Sequence, residues 1–142
     1  MSSDAAKATV YFADNDLFVG ITPSGHAITL DTAHDRSAAP SPVELLLVAL
    51  GSCTAVDVVG ILAKKRQKVT GYKVEVSGER REEHPRSYKR MKVHHIVKGS
   101  NIAAHAVAQA IELSENKYCS VAATLRPTVE IHSTFEIIED SE

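Results

Sequence analysis

The sequence predicts an α+β domain with the element order βββ-α-ββ-α-β. Three observations predict it. Alternating apolar and polar residues mark short strands at both ends of the chain. A strongly apolar run in the middle opens on a capping box. An alanine-rich stripe at helical spacing follows a long hairpin.

The first third reads as strands. Ala8, Val10 and Phe12 alternate with their neighbours, as do Leu17, Val19 and Ile21, and Asp14-Asn15-Asp16 turns between them. Pro23-Ser24-Gly25 turns into a third strand near residues 26–30, and the segment from Asp31 to Pro40 has loop composition. Ser41-Pro42-Val43-Glu44 then starts a helix: Ser41 caps, Pro42 suits the first helical position, and Glu44 closes a capping box. The helix should run to about Arg66, roughly 35 Å at 1.5 Å per residue. From Val43 to Leu50 it is apolar on nearly every side except at Glu44, which predicts a helix buried all round.

A hairpin follows. Tyr72, Val74 and Val76 share one face of its first strand; Met91, Val93, His95 and Val97 share one face of its second, and Glu83 to Ser87 form the tip. A second helix is expected over 102–117, capped by Ser100 or Asn101, with Ile102, Ala106, Val107, Ala110, Ile111 and Leu113 as its apolar stripe. Cys119 precedes a short helical turn, and Pro127 leads into a last strand bearing Val129, Ile131, Phe135 and Ile137 on one face. Antiparallel sheets are expected to wrap the two helices. Because a helix buried all round needs more cover than six short strands supply, an intertwined homodimer is expected.

Composition agrees. The chain has 142 residues, 44% hydrophobic and 24% charged, which suits one soluble domain with a single core. No repeat or linker divides it. A formal net charge of −2 gives no reason to expect nucleic acid or an anionic membrane as partner. The first residues lack the pattern of a signal peptide. The run Leu45 to Leu50 is too short to cross a bilayer. Two cysteines in such a chain suggest a reducing compartment, the cytosol, where paired thiols tend to be redox-active, catalytic or buried.

The cysteines are therefore the candidates for chemistry. Cys53 lies inside the apolar helix, in Gly51-Ser52-Cys53-Thr54. It reads either as a small hydrophobe or as a nucleophile. Gly51 in mid-helix implies that something packs close to it. Asp57, one turn beyond Cys53, needs a partner in apolar surroundings: a cation or donor beside the sulfur, or Thr54. Cys119 reads either as a plug at a helix–strand joint or as a thiol whose pKa the following helical turn and Lys117 lower. Glu44 is explained by the capping box; about 13 Å along the helix from Cys53, it could serve that thiol only through a substrate or a bridging residue. Arg36 stands in the loop ahead of the helix. No metal site is expected, since the cysteines are not closely spaced and His94 and His95 point to opposite faces of a strand.

At Ser41-Pro42-Val43-Glu44-Leu45-Leu46-Leu47-Val48-Ala49-Leu50-Gly51-Ser52-Cys53, and again at Lys117-Tyr118-Cys119-Ser120-Val121, the chain resembles the OsmC/Ohr family of osmotically induced and organic hydroperoxide resistance proteins. It is closest to the small YhfA-like branch. The resemblance spans essentially the whole chain and implies an OsmC-like homodimer. It also implies a thiol peroxidase: Cys53 attacks an organic or lipid hydroperoxide, Cys119 resolves the product as a disulfide, and an external dithiol reduces it, with no bound cofactor. Leu46, Leu47 and Leu50 would line an apolar site for the hydroperoxide or another small apolar ligand. Two departures accompany the resemblance. The peroxidase branches place glutamate directly after the proline, where this chain has Val43 and then Glu44. They also carry an arginine on the N-terminal strands, where residues 1–30 have none. Arg36, Arg80 or Arg81 would have to replace it. A non-cycling redox sensor or ligand-binding protein of the same fold is the alternative.

Overall fold

The computed structural model describes residues 5–140. The opening residues 1–4, part of the segment read above for a signal peptide, lie outside the described residues. The described chain forms two compact units, divided between Leu46 and Leu47.

The first unit is a three-stranded antiparallel sheet in the order β1-β2-β3, with β1 at Thr9–Asp14, β2 at Leu17–Ile21 and β3 at Ala27–Asp31. The β1–β2 turn uses Asn15 and Asp16, both at positive φ (47° and 69°), as a two-residue hairpin turn requires. Gly25, at φ 91°, turns the chain between β2 and β3, and Thr22 anchors that turn through its carbonyl and its hydroxyl. Asp31 then organises the loop. Its carboxylate accepts from the Arg36 guanidinium at 2.8 and 3.0 Å and from the backbone amides of Ala33 and Ala38 at 3.0 and 2.9 Å.

Helix α1, Pro42–Lys64, begins as expected. The Ser41 amide donates to Glu44 Oε2 at 2.7 Å and the Glu44 amide to Ser41 Oγ at 3.3 Å, both halves of the capping box. By length and composition α1 could cross a membrane. Its buried residues, Leu50, Gly51, Thr54, Val58 and Leu62, instead form a single stripe at helical spacing. The expectation of burial all round is corrected here: Leu46, Val48, Val56 and Val59 are exposed. One chain covers one side of this helix, because its core elements all pack along the same stripe.

The second unit also holds a three-stranded sheet in the order β4-β5-β6, with β4 at Lys68–Arg80, β5 at Tyr88–Ser100 and β6 at Glu130–Glu139. Strands β4 and β5 pair antiparallel, but β5 and β6 pair parallel, Arg90 opposite Glu130 through Gly99 opposite Glu139. This sheet is therefore mixed, and not antiparallel as expected. The reason is connection length: a tight hairpin can only reverse the chain, whereas the helical segment between β5 and β6 is long enough for a crossover.

Helix α2 is shorter than predicted, Ala104–Leu113, and is followed by a single π turn, Ser114–Tyr118, and by α3, Ser120–Leu125. Neither Ser100 nor Asn101 caps α2. Asn101 is at φ 53°, and the N-cap is Ala103, which makes no side-chain cap bond; Gln67 Oε1 satisfies the Ala103 amide instead at 2.9 Å. The core joins Val58 and Leu62 of α1 to Val97 of β5 and to Ile102, Ala106, Val107, Ala110 and Ile111. Gly51 behaves as its position foretold: a Cβ there would lie 3.0 Å from Val76 Cγ2 and 3.6 Å from Val74 Cγ1, so β4 crosses α1 at close range.

Candidate functional site

Cys53 is half-buried on α1, and Cys119 is buried at the start of α3; both are free thiols. Distant in sequence, they lie near enough in space for Cys53 to raise the pKa of the Cys119 thiol. Cys119 is the N-cap of α3, and its sulfur accepts from the Ala122 amide at 3.3 Å. The expected fall in its pKa does not occur. Burial pushes the Cys119 thiol up to about 11; the Ala122 amide pulls the other way, and the nearby Cys53 raises it further. The first amides of a six-residue helix do not offset desolvation. The Lys117 ammonium sits 5.4 Å from the Tyr118 ring centre, in a cation–π contact.

Asp57 finds its partner in Ser114. Ser114 Oγ donates to Asp57 Oδ2 at 2.8 Å, and its distance to Thr54 Oγ1 is 2.9 Å. A hydroxyl has one proton, so Ser114 donates to the carboxylate and accepts from Thr54, giving a chain Thr54 → Ser114 → Asp57. Ser114 is fully buried, at 0% exposure. Its carbonyl accepts from the Cys119 amide at 2.7 Å, the bond that closes the π turn. Sequence reasoning reached Asp57 and Thr54 but missed Ser114. The available signal was a polar residue directly after the apolar stripe of a helix.

The remaining predicted residues have structural occupations. Glu44 is in the capping box. Arg36 is held by Asp31 and by the Asn15 carbonyl at 2.5 Å, and its guanidinium keeps the Asp31 carboxyl far below the usual carboxylate range. Arg80 and Arg81 pin the hairpin tip through the Arg86 and Pro85 carbonyls at 2.7 and 3.1 Å. Leu46, Leu47 and Leu50 have different surroundings. Leu50 is buried in the core and Leu46 is exposed, while Leu47 lines a shallow groove with Val48, Gly51, Ser52, Val74 and Val76. A larger groove, about 450 Å³, runs past Val56, Asp57, Gly60, Ile61, Leu113 and Tyr118 to Lys64 and Lys65. Among the described residues no group of three or more His, Cys, Asp or Glu is placed to hold a metal.

Comparison with known proteins decides the family. The model of the OsmC-like protein family matches residues 33–134. The chain belongs to the OsmC-like family. Protein YhfA of Escherichia coli K12 is 42% identical over 132 residues, covering 93% of this chain and 98% of YhfA. A crystal structure of a hypothetical protein from Aquifex aeolicus VF5 superposes with a TM-score of 0.86 at 32% identity, over 98% of this chain and all (100%) of that one. An organic hydroperoxide resistance protein OsmC from Legionella pneumophila, described as a predicted redox protein, shares the OsmC-like fold at a TM-score of 0.71 and 10% identity, over 96% of this chain and 99% of that one.

Proposed function

We propose that this OsmC-like protein is a thiol-dependent peroxidase for organic or lipid hydroperoxides, working in the cytosol as a homodimer. The reading is supported chiefly by the proximity of Cys53 to Cys119, close enough for the first to raise the pKa of the second. The half-buried Cys53 is the sulfur a substrate can reach, and the buried Cys119 is shielded from it. The Cys53 thiolate attacks the distal oxygen of ROOH; the O–O bond breaks, the alkoxide takes a proton and leaves as ROH, and Cys53 becomes a sulfenic acid. Cys119 then attacks that sulfur, forming the disulfide and releasing water. An external dithiol returns both thiols and is itself oxidised to a disulfide. A high pKa keeps Cys119 from competing for the peroxide, and its proton leaves with the sulfenic oxygen as water when it attacks Cys53.

Support for the dimer comes from the exposed apolar side of α1, where Val48 and Val56 are 64% and 73% exposed. A second chain laid against that side would give the helix the cover that one chain lacks.

Steady-state consumption of cumene hydroperoxide with a dithiol reductant tests the activity: Cys53→Ser should abolish turnover, and Cys119→Ser should stall after one equivalent. A parent protein that consumes no hydroperoxide would remove the peroxidase reading. The second reading, a non-cycling redox sensor or small-ligand-binding protein, draws on the occupations of Arg36 and Glu44, both held in the first unit by structural contacts. A single stoichiometric oxidation of Cys53 without turnover would select it. Sedimentation velocity tests the dimer, which a stable monomer at micromolar concentration would exclude.

A further inference from the structure

We infer that Ser114 is a positioning residue for the two cysteines: the chain Thr54 → Ser114 → Asp57 locks the π turn that carries Cys119 onto the stretch of α1 that carries Cys53. The inference rests on the thiol-pair reading above.

The geometry is local and continuous. Thr54 directly follows Cys53, and Asp57 lies one turn farther along α1. The Ser114 hydroxyl bonds both, at 2.9 and 2.8 Å. The Ser114 carbonyl, five residues before Cys119, accepts the Cys119 amide at 2.7 Å. One residue therefore grips α1 beside the first sulfur through its side chain and sets the backbone of the second through its main chain. Beyond Cys119, the Ala122 amide fixes the sulfur itself at 3.3 Å.

The π turn explains why such a grip is needed. A π turn inserted after an α-helix is intrinsically unfavourable and recurs at functional sites. Here it changes the direction in which the chain leaves α2, so that Cys119 caps α3 and does not continue α2. The Thr54 and Ser114 side chains are buried and partnered, as polar groups in a core must be. A stabilising network alone could stand anywhere on α1. This one spans the turn of α1 that begins at Cys53, and its central residue, Ser114, is the one whose carbonyl fixes Cys119.

The test separates closure of the disulfide from its first step. Reduced protein is oxidised with one equivalent of cumene hydroperoxide. Trapping of the Cys53 sulfenic acid by dimedone reports the first step, and loss of free thiol reports closure. Closure is also driven with diamide, an azodicarboxamide that oxidises two thiols to a disulfide and is itself reduced to the hydrazine. Ser114→Ala should slow closure about 10- to 100-fold, the size expected of an ångström-scale misplacement, while sulfenic acid formation stays within about twofold. In a glutathione redox buffer, its thiol pair should favour the dithiol more than the parent's does. Asp57→Leu should behave like Ser114→Ala, and Asp57→Asn, which keeps an oxygen acceptor, should recover parental closure. If Ser114→Ala and Asp57→Leu lower the thermal midpoint but close the disulfide at the parental rate when folded, the network is only structural and the inference falls. If Ser114→Ala does not fold, the two Asp57 variants decide alone: equal closure in both overturns the inference, and slow closure only in Asp57→Leu supports it. Failure of the peroxidase reading appears separately, as no reaction with hydroperoxide in the parent while diamide still closes its disulfide.

Discussion

The two sheets of this protein are written in the same alternating pattern and have different surroundings. Every residue of β1 is exposed, including Val10 and Phe12, whereas β5 alternates buried and solvent-facing positions and buries Tyr88, Met91, Val93, His95 and Val97. Alternation selects which side chains share a face; it does not supply whatever covers that face. The second unit covers its own sheet, with Val97 of β5 packed among Val58 and Leu62 of α1 and the apolar residues of α2. The first unit is organised by polar contacts: the Asn15-Asp16 turn and the carboxylate of Asp31, which gathers Arg36 and two loop amides.

That contrast can be broken by mutation. The largest effect belongs to the second unit. Leu62→Ala removes a fully buried side chain and should cost about 2–5 kcal/mol in urea unfolding. The matching change in the first unit, Val10→Ser, should cost under about 0.5 kcal/mol in the isolated chain, because the valine is already exposed. If Val10→Ser instead shifts the sedimentation coefficient toward that of a monomer, the face of β1 is covered by a second copy.

Next comes pH. His95 is fully buried on β5, where Tyr72 Oη lies 2.6 Å from its Nδ1, and among the described residues its Nε2 is a buried nitrogen without a hydrogen-bond partner. Burial lowers its pKa to about 4 from an ordinary value of 6.5, and His94 adds to the fall. A lowered histidine pKa means that the unfolded chain binds the proton first. Stability from this group is therefore complete above pH 6.5 and drains as pH falls toward 4, by about 3 kcal/mol in all. Unfolding free energies measured at half-unit steps should show that slope, and His95→Phe should flatten it. An unchanged slope in the variant would assign the acid sensitivity to other groups.

Two glycines sharpen the picture at smaller scale. A Cβ at Gly78 on β4 would lie 2.4 and 2.6 Å from the buried Tyr88 ring and 3.0 Å from Leu47 Cδ2, so Gly78→Ala should cost about 1–3 kcal/mol. Gly51→Ala should stay within about 1 kcal/mol of the parent, because the helical preference for alanine opposes the crowding of one Val76 methyl at 3.0 Å. Thermal or urea unfolding reads both; a Gly51→Ala loss as large as that of Gly78→Ala would mean that β4 cannot yield at that crossing.

Features that depend on neighbours in the chain were legible before any coordinates. The Asn15-Asp16 turn, the reciprocal Ser41–Glu44 cap and the alternation along β4 and β5 all follow from residues a few positions apart. Part of the candidate site was legible in the same way. A cysteine, a mid-helix glycine and a carboxylate on one stretch of apolar helix marked it, and each has a close neighbour in the folded chain.

What only the folded chain decided involves energy differences between distant groups. Cys119 looked activated because a helix follows it, yet burial outweighs the helix's first amides and drives its pKa upward. The last strand looked like one more antiparallel partner, but the helical crossover laid it parallel to β5. Ser114 looked like the end of a helix until Thr54 and Asp57 arrived from α1 to hold it. Local sequence determines conformations whose competing states differ within a few residues. Desolvation, strand direction and the partner of a buried hydroxyl depend on which surfaces pack together, and that is set by the whole chain.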